Sequence, residues 1–295
     1  MDAYDPEDVE FELEDDQEFF GSGDEDEFDP DDELEYEGSF AEGDGIFEYE
    51  DDDEGGVFED LTHELAPGAD YQVIFDPKDT RKRITNTTAV PWRHIVKISP
   101  PGCTGTLIAP NKVLTAAHCV FNRSRKSRYS GIRVIPGKNG SKEPFGSARA
   151  VRVDYPSAYV RASSYDKAWP HDYAVITLDK PIGRKTGHWP RLSALSARRL
   201  RRVKLNTAGY PGDKGGQHLY WTYNRVSSVR GARIEYLHDT AGGQSGSPVW
   251  LKSGRRRTIV AVHTARDNPA TPIIANRGVA LTRPILRRIR GWMRS

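Results

Sequence analysis

The apolar residues of this 295-residue chain fall into short runs after about Tyr71, and Gly, Pro, Asn and Asp separate one run from the next. Such runs are typical of antiparallel strands rather than of alternating strands and helices. The readable strands are His94–Ser99, Thr104–Ile108, Lys112–Ala116, Ile132–Pro136, Tyr173–Leu178, Val203–Gly209, Leu219–Val226, Gly246–Leu251, Thr258–Thr264 and Val279–Thr282. We therefore predict an antiparallel sandwich or barrel for the part of the chain after residue 70.

Residues 283–295 have a helical period instead. Apolar side chains at i, i+1, i+4, i+7 and i+8 share one face of a helix, and the residues at these positions are Ile285, Leu286, Ile289, Trp292 and Met293. The opposite face carries Arg287, Arg288, Arg290 and Arg294. We expect the chain to end in an amphipathic helix.

Residues 1–70 show neither period and contain 32 Asp and Glu residues but no Lys or Arg. Like-charge repulsion and a low apolar content predict that this acidic segment is disordered. The remaining 11 acidic residues stand against all 42 Lys and Arg residues, which gives residues 71–295 a net charge of +31. The acidic segment is either a solvated tail or a strap that docks on the basic part, to which it is tethered at high effective concentration.

The composition excludes several classes of protein. No apolar run approaches the roughly 20 residues of a membrane-spanning helix. Two cysteines are too few for a disulfide-dense mini-protein, and the Cys and His residues are too scattered for a zinc finger. The basic part has the length of one all-β core, which commonly takes about 200–250 residues. No metal ion or cofactor is expected.

Residues 243–248 read Gly-Gln-Ser-Gly-Ser-Pro and lie at a loop-to-strand junction. Glycines around Ser245 can leave its hydroxyl accessible while nearby backbone N–H groups point at one spot, which is the geometry of an oxyanion hole. The alternative is an ordinary glycine-serine turn. Ser245 is therefore a candidate nucleophile.

The apolar run Leu114–Ala117 leads directly into His118 and Cys119, and Cys103 lies sixteen residues before Cys119. A disulfide between the two cysteines would staple adjacent strands and fix the loop that carries His118, with a stabilisation of roughly 3 kcal/mol in the chain-entropy view. A lone histidine at a strand end is usually only a hydrogen-bonded polar residue. Here it accompanies the serine loop, which makes it a candidate general base.

Asp172 opens the apolar strand Tyr173–Leu178. A carboxylate at that place can be partly buried, accept a hydrogen bond from Nδ1 of a histidine and hold its tautomer, whereas the alternative is an exposed strand start. The candidates occur in the chain order His118, Asp172, Ser245. An α/β-hydrolase would have the order Ser, Asp, His and would need Gly in place of Ser247.

Taken together, these segments resemble the chymotrypsin-like serine peptidases and, within them, the bacterial glutamyl endopeptidases. Besides the serine hexapeptide, the matching segments are 83–88 (Arg-Ile-Thr-Asn-Thr-Thr), 103–112 (Cys-Thr-Gly-Thr-Leu-Ile-Ala-Pro-Asn-Lys), 209–214 (Gly-Tyr-Pro-Gly-Asp-Lys) and 261–264 (Ala-Val-His-Thr). They spread over nearly the whole basic part. The resemblance implies an all-β fold of two six-stranded antiparallel barrels with a C-terminal helix, preceded by the disordered acidic segment.

The resemblance also implies a role for each candidate. Ser245 would attack the scissile carbonyl, His118 would take its proton and pass it to the leaving amine, and Asp172 would orient the imidazole. The backbone N–H groups of Gly243 and Ser245 would form the oxyanion hole. The implied activity is hydrolysis of peptide bonds in proteins or peptides.

Two interpretations of the specificity pocket compete. Asp239 lies six residues before Ser245, where a trypsin-like enzyme has the aspartate that pairs with substrate Arg or Lys. Thr240 and His263 lie where the resemblance to glutamyl endopeptidases places the groups that bind a substrate carboxylate. His263 favours cleavage after Glu or Asp, and Arg266 either reinforces anion binding or partly fills the pocket.

The same resemblance divides the chain into two regions. Vertebrate-type members have Asp before the nucleophile, which pairs with a newly released N-terminal amine, whereas Gln244 cannot form an ion pair. The glutamyl enzymes begin near the segment aligned with Val73. This makes residues 1–72 a propeptide-like segment and residues 73–295 the peptidase domain.

Two features of the sequence disagree on location. The start at Met1 has neither the basic nor the apolar region of a secretory signal, which by itself predicts a cytoplasmic protein. A disulfide between Cys103 and Cys119 favours an oxidising, extracytoplasmic environment. We expect a secreted protein whose signal precedes this sequence or has been removed.

The charge of +31 supports a rival function, an inactive basic module that binds nucleic acid or another polyanion. Basic clusters at residues 81–83, 198–202 and 255–257 favour it, but charge runs are usually solvated surfaces and no nucleic-acid motif accompanies them. We therefore expect protein substrates, attracted by charge when they are acidic. The acidic segment is expected as an internal partner, nucleic acid is not, and the protein is expected to be a monomer.

Overall fold

The computed structural model describes residues 72–73, 78–189, 191–254, 256–266 and 275–295, with the backbone alone at 72–73 and 265–266. The disorder predicted for residues 1–70 concerns a segment outside these ranges. Everything below refers to the described part of the chain.

The described part consists mainly of short strands. In chain order they are β1 (Gln72–Val73), β2 (Lys82–Arg83), β3 (Ile95–Ser99), β4 (Cys103–Ala109), β5 (Lys112–Thr115), β6 (Phe121–Asn122), β7 (Ser127–Arg128), β8 (Arg133–Pro136), β9 (Ala148–Asp154), β10 (Ala174–Leu178), β11 (Lys204–Gly209), β12 (Tyr220–Arg230), β13 (Arg233–Tyr236), β14 (Thr240–Ala241), β15 (Pro248–Ser253), β16 (Arg256–Arg266) and β17 (Asn276–Ala280). The α-helices are α1 (Ser157–Arg161), α2 (Tyr165–Ala168), α3 (Gly183–Thr186), α4 (Ala197–Arg202) and α5 (Arg283–Arg294). The 3₁₀ turns are Trp92–His94, Ala117–Cys119, Trp169–His171 and Gly212–Lys214.

The first barrel is closed and antiparallel, with its six strands in the spatial order β10-β5-β4-β3-β8-β9. The sequence analysis missed β9, whose only buried residue is Ala148. Arg149 and Arg152 interrupt its small and apolar residues, so no apolar run marks it. Its pairing with both β8 and β10 nevertheless closes the barrel.

The second barrel also has six strands, in the order β11-β15-β16-β17-β13-β12, and pairing of β11 with β12 closes it. The short strand β2 adds to the outer edge of β12. The sequence analysis missed β13, because it is only four residues long and its buried Ile234 and Tyr236 alternate with charged residues. The predicted pair of six-stranded barrels is confirmed.

Three buried tryptophans connect the barrels. The ring of Trp250, on β15 of the second barrel, lies 6.2 Å from that of Trp92, which precedes β3 of the first barrel. The ring of Trp189, in the connection between the barrels, lies 5.2 Å from that of Trp250. Aromatic packing of this kind adds to the burial of apolar area, and it fixes the two barrels relative to one another.

The predicted C-terminal helix is confirmed as α5. Ile285, Leu286 and Ile289 are buried on its inner face, and Arg288 Nη1 donates to the hydroxyl of Tyr173 at 3.0 Å. The helix thus packs on the first barrel beside the start of β10. Among the described residues no helix is long and apolar enough to cross a membrane.

Candidate active site

His118 lies in the 3₁₀ turn that directly follows β5. The next residue, Cys119, forms a disulfide with Cys103 at the start of β4, with 5.9 Å between the two Cα atoms. Both half-cystines are buried. The predicted pairing is present, and it ties the histidine turn to the neighbouring strand of the first barrel.

Asp172 follows the 3₁₀ turn Trp169–His171 and precedes β10. Its side chain is fully buried, and its Oδ2 lies 2.7 Å from His118 Nδ1. Its Oδ1 accepts a second hydrogen bond, from the backbone N–H of His118, at 2.9 Å. Because a carboxylate can only accept, this arrangement places the ring proton on Nδ1 and leaves Nε2 of the neutral imidazole as the proton acceptor.

Ser245 lies between β14 and β15, in a loop whose backbone conformation requires glycine at positions 243 and 246. Gly243 and Gly246 have φ angles of +92° and +84°, a region that side chains disfavour. A Cβ atom on Gly243 would lie 2.5 Å from the carbonyl oxygen of Tyr210, and one on Gly246 would lie 2.1 Å from that of Thr104. The loop is therefore fixed by close backbone contacts.

The same loop provides two candidate oxyanion donors. Within the described residues, no hydrogen-bond acceptor faces the backbone N–H of Gly243 or of Ser245. The hydroxyl of Ser245 is nearly buried and donates to the carbonyl of Thr264 at 3.1 Å.

Contacts between the two barrels bring the serine loop to the histidine turn. Thr104 N donates to the carbonyl of Ser245 at 2.8 Å, and Cys119 Sγ lies 3.5 Å from the same oxygen. The space where Gly246 would carry a Cβ is filled by Thr115 at the end of β5. The disulfide, the histidine turn and the serine loop thus form one packed unit.

His263 is buried on β16 and its Nδ1 lies 2.8 Å from the hydroxyl of Tyr236. Burial, together with the charges that His238 and His118 can carry, lowers the pKa of His263 to about 3. His263 is therefore neutral near pH 7 and acts through hydrogen bonds rather than through charge. Thr240, also buried, pairs across β14 and β1 with Val73.

Asp239 is buried and engaged by the chain that precedes β2. Its Oδ2 accepts a hydrogen bond from Thr80 N at 2.8 Å and another from the Thr80 hydroxyl. The carboxylate thus fastens this segment to the second barrel. The side chain of Arg266, at the end of β16, lies outside the described residues.

Sequence reasoning missed four residues beside these candidates. The buried Arg81 forms an ion pair with Asp213 next to the serine loop, and the rings of Tyr236 and His238 lie 4.5 Å apart near His263. Arg81 was part of a basic cluster interpreted as solvated surface. The alternation of Tyr236, His238 and Thr240 along the chain was the available signal for Tyr236 and His238, because side chains two residues apart share one face of a strand.

One cluster of His, Cys, Asp and Glu side chains among the described residues has the close spacing that metal ligands need: Cys103, His118 and Cys119. Both of its sulfur atoms are used in the disulfide. A thiolate is the metal-binding form of cysteine, so this cluster does not fit a metal ion.

Comparison of the sequence with known families identifies the family of the chain. The family profile described as Trypsin matches residues 81–280. The chain belongs to the trypsin family. The family resemblance inferred from the sequence is confirmed, and the protein is a trypsin-like serine endopeptidase that acts on protein substrates.

Two relatives and one solved structure match most of the chain. A glutamyl endopeptidase of Bacillus licheniformis is 34% identical over 224 residues, which are 74% of this chain and 68% of the relative. A protein of Bacillus subtilis named extracellular metalloprotease is 30% identical over 223 residues, 72% of this chain and 68% of the relative. The solved structure of a Glu endopeptidase in complex with MPD matches with a TM-score of 0.67 and 32% identity, covering 76% of this chain and 100% of that one.

Proposed function

We propose that this protein hydrolyses peptide bonds through an acyl-enzyme, with Ser245 as nucleophile, His118 as general base and acid, and Asp172 as the group that orients His118. The observation that carries the proposal is the double hydrogen bond from His118 to the buried Asp172. In the neutral ring it places the proton on Nδ1 and leaves Nε2 as the acceptor, and the serine loop has a Gly243 N–H that is unpaired among the described residues.

The proposed steps balance in atoms and protons. The Oγ of Ser245 bonds to the scissile carbonyl carbon as its proton moves to His118 Nε2, and the oxyanion is held by the N–H groups of Gly243 and Ser245. The C–N bond then breaks as Nε2 gives its proton to the leaving amine. Water repeats the sequence on the acyl-enzyme, and the last proton returns to Ser245.

The proposed specificity is cleavage after Glu, and to a lesser extent after Asp. Two relatives support it by name, since both the protein of Bacillus licheniformis and the solved structure are glutamyl endopeptidases. His263 is neutral, so it can serve a carboxylate as a hydrogen-bond donor. The Tyr236 hydroxyl has two acceptors, His263 Nδ1 at 2.8 Å and the carbonyl of Arg277 at 3.2 Å; when it donates to Nδ1, the Nε2 of His263 keeps its proton. Thr240 and Arg266 complete the proposed pocket.

Cleavage after Arg or Lys is the less favoured alternative. It would need the Asp239 carboxylate to face a substrate cation, as sequence position alone suggested. Asp239 Oδ2 instead accepts two hydrogen bonds from Thr80, which gives this carboxylate a structural role. This role favours cleavage after Glu over cleavage after Arg or Lys.

The proposal extends to the organisation of the whole chain. Residues 1–72 are the propeptide-like acidic segment and residues 73–295 the peptidase domain, supported by a family match that begins at residue 81. The disulfide supports an extracytoplasmic, secreted protein. Acidic substrates and the acidic segment are its proposed partners on charge alone, and the protein is proposed to act as a monomer.

A panel of fluorogenic peptides that differ only in the residue before the scissile bond (Glu, Gln, Asp, Arg, Lys, Phe, Ala) tests the function. The full chain is assayed with Ser245→Ala as the blank. Turnover of the Glu peptide well above that of the isosteric Gln peptide, absent in the blank, is the expected result. Preferred turnover of Arg or Lys peptides would assign the pocket to Asp239, and turnover that persists in the blank would remove Ser245 from the mechanism.

A further inference from the structure

The guanidinium of Arg81 is fully buried between two carboxylates. Nε and Nη2 donate to Asp79 at 3.0 and 2.9 Å, and Nη1 and Nη2 donate to Asp213 at 3.0 and 2.5 Å. Lys214 Nζ, 2.9 Å from Asp79, adds a second cation. The planar fork of arginine suits this double engagement, which a lysine ammonium cannot reproduce.

Asp79 and Arg81 keep their charges over a wide pH range. Burial alone would raise the pKa of the Asp79 carboxyl, but hydrogen bonds from Arg81 and Lys214 outweigh it and hold that pKa well below its usual range. Burial likewise opposes the charge of Arg81, and the hydrogen bonds to Asp79 and Asp213 more than compensate, so that its pKa is raised. We call the cluster of Asp79, Arg81, Asp213 and Lys214 the ionic tie.

The tie reaches the serine loop from one side through Gln244. Arg81 Nη1 lies 3.4 Å from Gln244 Oε1, and the same oxygen accepts the backbone N–H of Ala241 at 3.0 Å. Gln244 is fully buried and stands between the two residues that carry the proposed oxyanion donors, Gly243 and Ser245. The Ser245 N–H belongs to the peptide group that directly follows Gln244, so a fixed Gln244 side chain restrains that donor.

The tie reaches the loop from the other side through Asp213. This residue belongs to the 3₁₀ turn Gly212–Lys214, and Gly212 N donates to the carbonyl of Gly242 at 2.6 Å. The position of a Cβ on Gly243 would be 3.3 Å from Gly212 N. The turn that forms the ion pair with Arg81 therefore packs directly against the backbone at Gly243.

We propose that Arg81 is a positioning residue that orders the oxyanion hole with an internal cation, so that the hole is assembled before any cleavage of the chain. In vertebrate-type members the cation is a newly released N-terminal amine, which pairs with an aspartate before the nucleophile. Here that position is the neutral Gln244, and Arg81 supplies the buried cation from within the chain. The inference rests on the proposed role of Ser245 as nucleophile.

A second fastening supports this assignment. Thr80, the neighbour of Arg81, donates its backbone N–H to Asp239 at 2.8 Å, just before β14. The stretch 79–81 is therefore attached to the second barrel on the side of β14 and on the side of the Gly212–Lys214 turn. The serine loop follows β14 directly and contacts the Gly212–Lys214 turn, so both attachments are next to it.

The test uses a fluorophosphonate, which labels an activated serine and carries no substrate side chain. The uncut full chain is labelled and its intact mass is measured, with Ser245→Ala as the blank. Wild type is expected to be labelled as the full-length species. Arg81→Gln is expected to be labelled about 100-fold more slowly, since a misplacement of about 1 Å or the loss of one oxyanion donor has effects of this size.

Arg83→Gln is the matched control, because Arg83 is an exposed arginine two residues further along the same segment. Its labelling rate is expected to stay within about twofold of wild type, as for most surface substitutions. Urea unfolding and near-ultraviolet circular dichroism are measured for every variant. A merely structural role of Arg81 would lower the urea midpoint and leave the labelling rate of the folded protein unchanged.

Two further variants keep the test decisive if Arg81→Gln does not fold. Arg81→Lys keeps the positive charge but cannot make the paired hydrogen bonds of a guanidinium. Asp213→Asn removes the negative charge of a partly exposed partner of Arg81. Each is expected to label about tenfold more slowly than wild type, in line with the loss of a charged hydrogen bond of roughly 1.5 kcal/mol. Rates within about twofold of wild type in the folded variants would overturn the proposal.

Other outcomes separate this inference from the proposed specificity. An uncut wild-type chain that is not labelled overturns the internal-cation proposal, because the hole would then depend on cleavage. Labelling of Ser245→Ala overturns the nucleophile and the inference together. Wild-type labelling with a slow Arg81→Gln, accompanied by no turnover of Glu peptides, would support Arg81 and reject only the glutamyl specificity.

Discussion

Asp172 holds His118 by two hydrogen bonds at once. Oδ1 accepts from the backbone N–H of His118 at 2.9 Å, and Oδ2 lies 2.7 Å from its Nδ1. One bond fixes where the histidine turn sits and the other fixes the plane and tautomer of the ring. Since the carboxylate is fully buried, no water competes for either bond, and the ring is oriented before a substrate arrives.

Replacing Asp172 by Asn tests this double role. The amide can donate to Nδ1, which would move the ring proton to Nε2 and remove the base, so we expect kcat to fall by about 10⁴-fold. Turnover of the Glu peptide measures the effect. Asp166→Asn, at an exposed residue of α2, is the control and should leave kcat unchanged; a fall of less than about tenfold for Asp172→Asn would contradict the orienting role.

Asp239→Asn distinguishes a structural from a specificity role of this carboxylate. Loss of the charge weakens the two hydrogen bonds from Thr80, and we expect the free energy of unfolding to fall by about 1–3 kcal/mol. The ratio of Glu to Arg peptide turnover should not change. Urea unfolding and the peptide panel measure the two effects, and a large rise in the Glu-to-Arg ratio would show that Asp239 serves cationic substrates.

The disulfide between Cys103 and Cys119 should contribute substantially to stability. It closes a loop with a sequence separation of 16, and in the chain-entropy view its loss costs about 3 kcal/mol. The double change to Ala suits the measurement, since both positions are buried. Urea unfolding in the Ser245→Ala background, where self-digestion cannot occur, measures the difference against the same background with the disulfide intact. A loss below about 1 kcal/mol would assign the bridge to positioning alone.

Three buried histidines make stability depend on pH. Burial is the main cause that lowers the pKa of His94 and His238 to about 4 each and that of His263 to about 3. At a pH between these values and the unfolded pKa of about 6.5, these histidines are protonated in the unfolded chain but not in the folded chain. Stability from these residues is therefore complete above about pH 6.5 and falls as the pH decreases towards 4, by up to about 2 kcal/mol per histidine at pH 5.

His238→Gln isolates one of these contributions. His238 Nε2 donates to the carbonyl of Leu205 at 2.7 Å, and its Nδ1 is without a hydrogen-bond partner among the described residues. Glutamine keeps a donor for this carbonyl and does not titrate. The loss of unfolding free energy between pH 7.5 and pH 5 should shrink by about 2 kcal/mol in this variant, and an unchanged pH dependence would show that His238 is not a neutral buried ring.

The sequence predicted most of the strands and both cysteine partners because these depend on local patterns. Runs such as Thr104–Ile108 and Thr258–Thr264 lie within the observed β4 and β16. The strands β9 and β13 escaped detection, since charged residues interrupt their apolar pattern and pairing with neighbours, not local propensity, makes them strands. Element bounds shifted for the same reason, as in β12, which extends to Arg230 through its pairing with β13.

For the candidate site, the sequence named His118, Asp172 and Ser245 and left their geometry open. It determined the residue types, their order along the chain and the glycines that a serine loop requires. Only the tertiary structure decided that Asp239 binds Thr80 and that Arg81 is buried between carboxylates. Those outcomes depend on contacts between residues more than 130 positions apart, which no local pattern shows. Burial removes the water that would compete for these hydrogen bonds, and Arg81 therefore forms structural ion pairs instead of lying exposed on the surface.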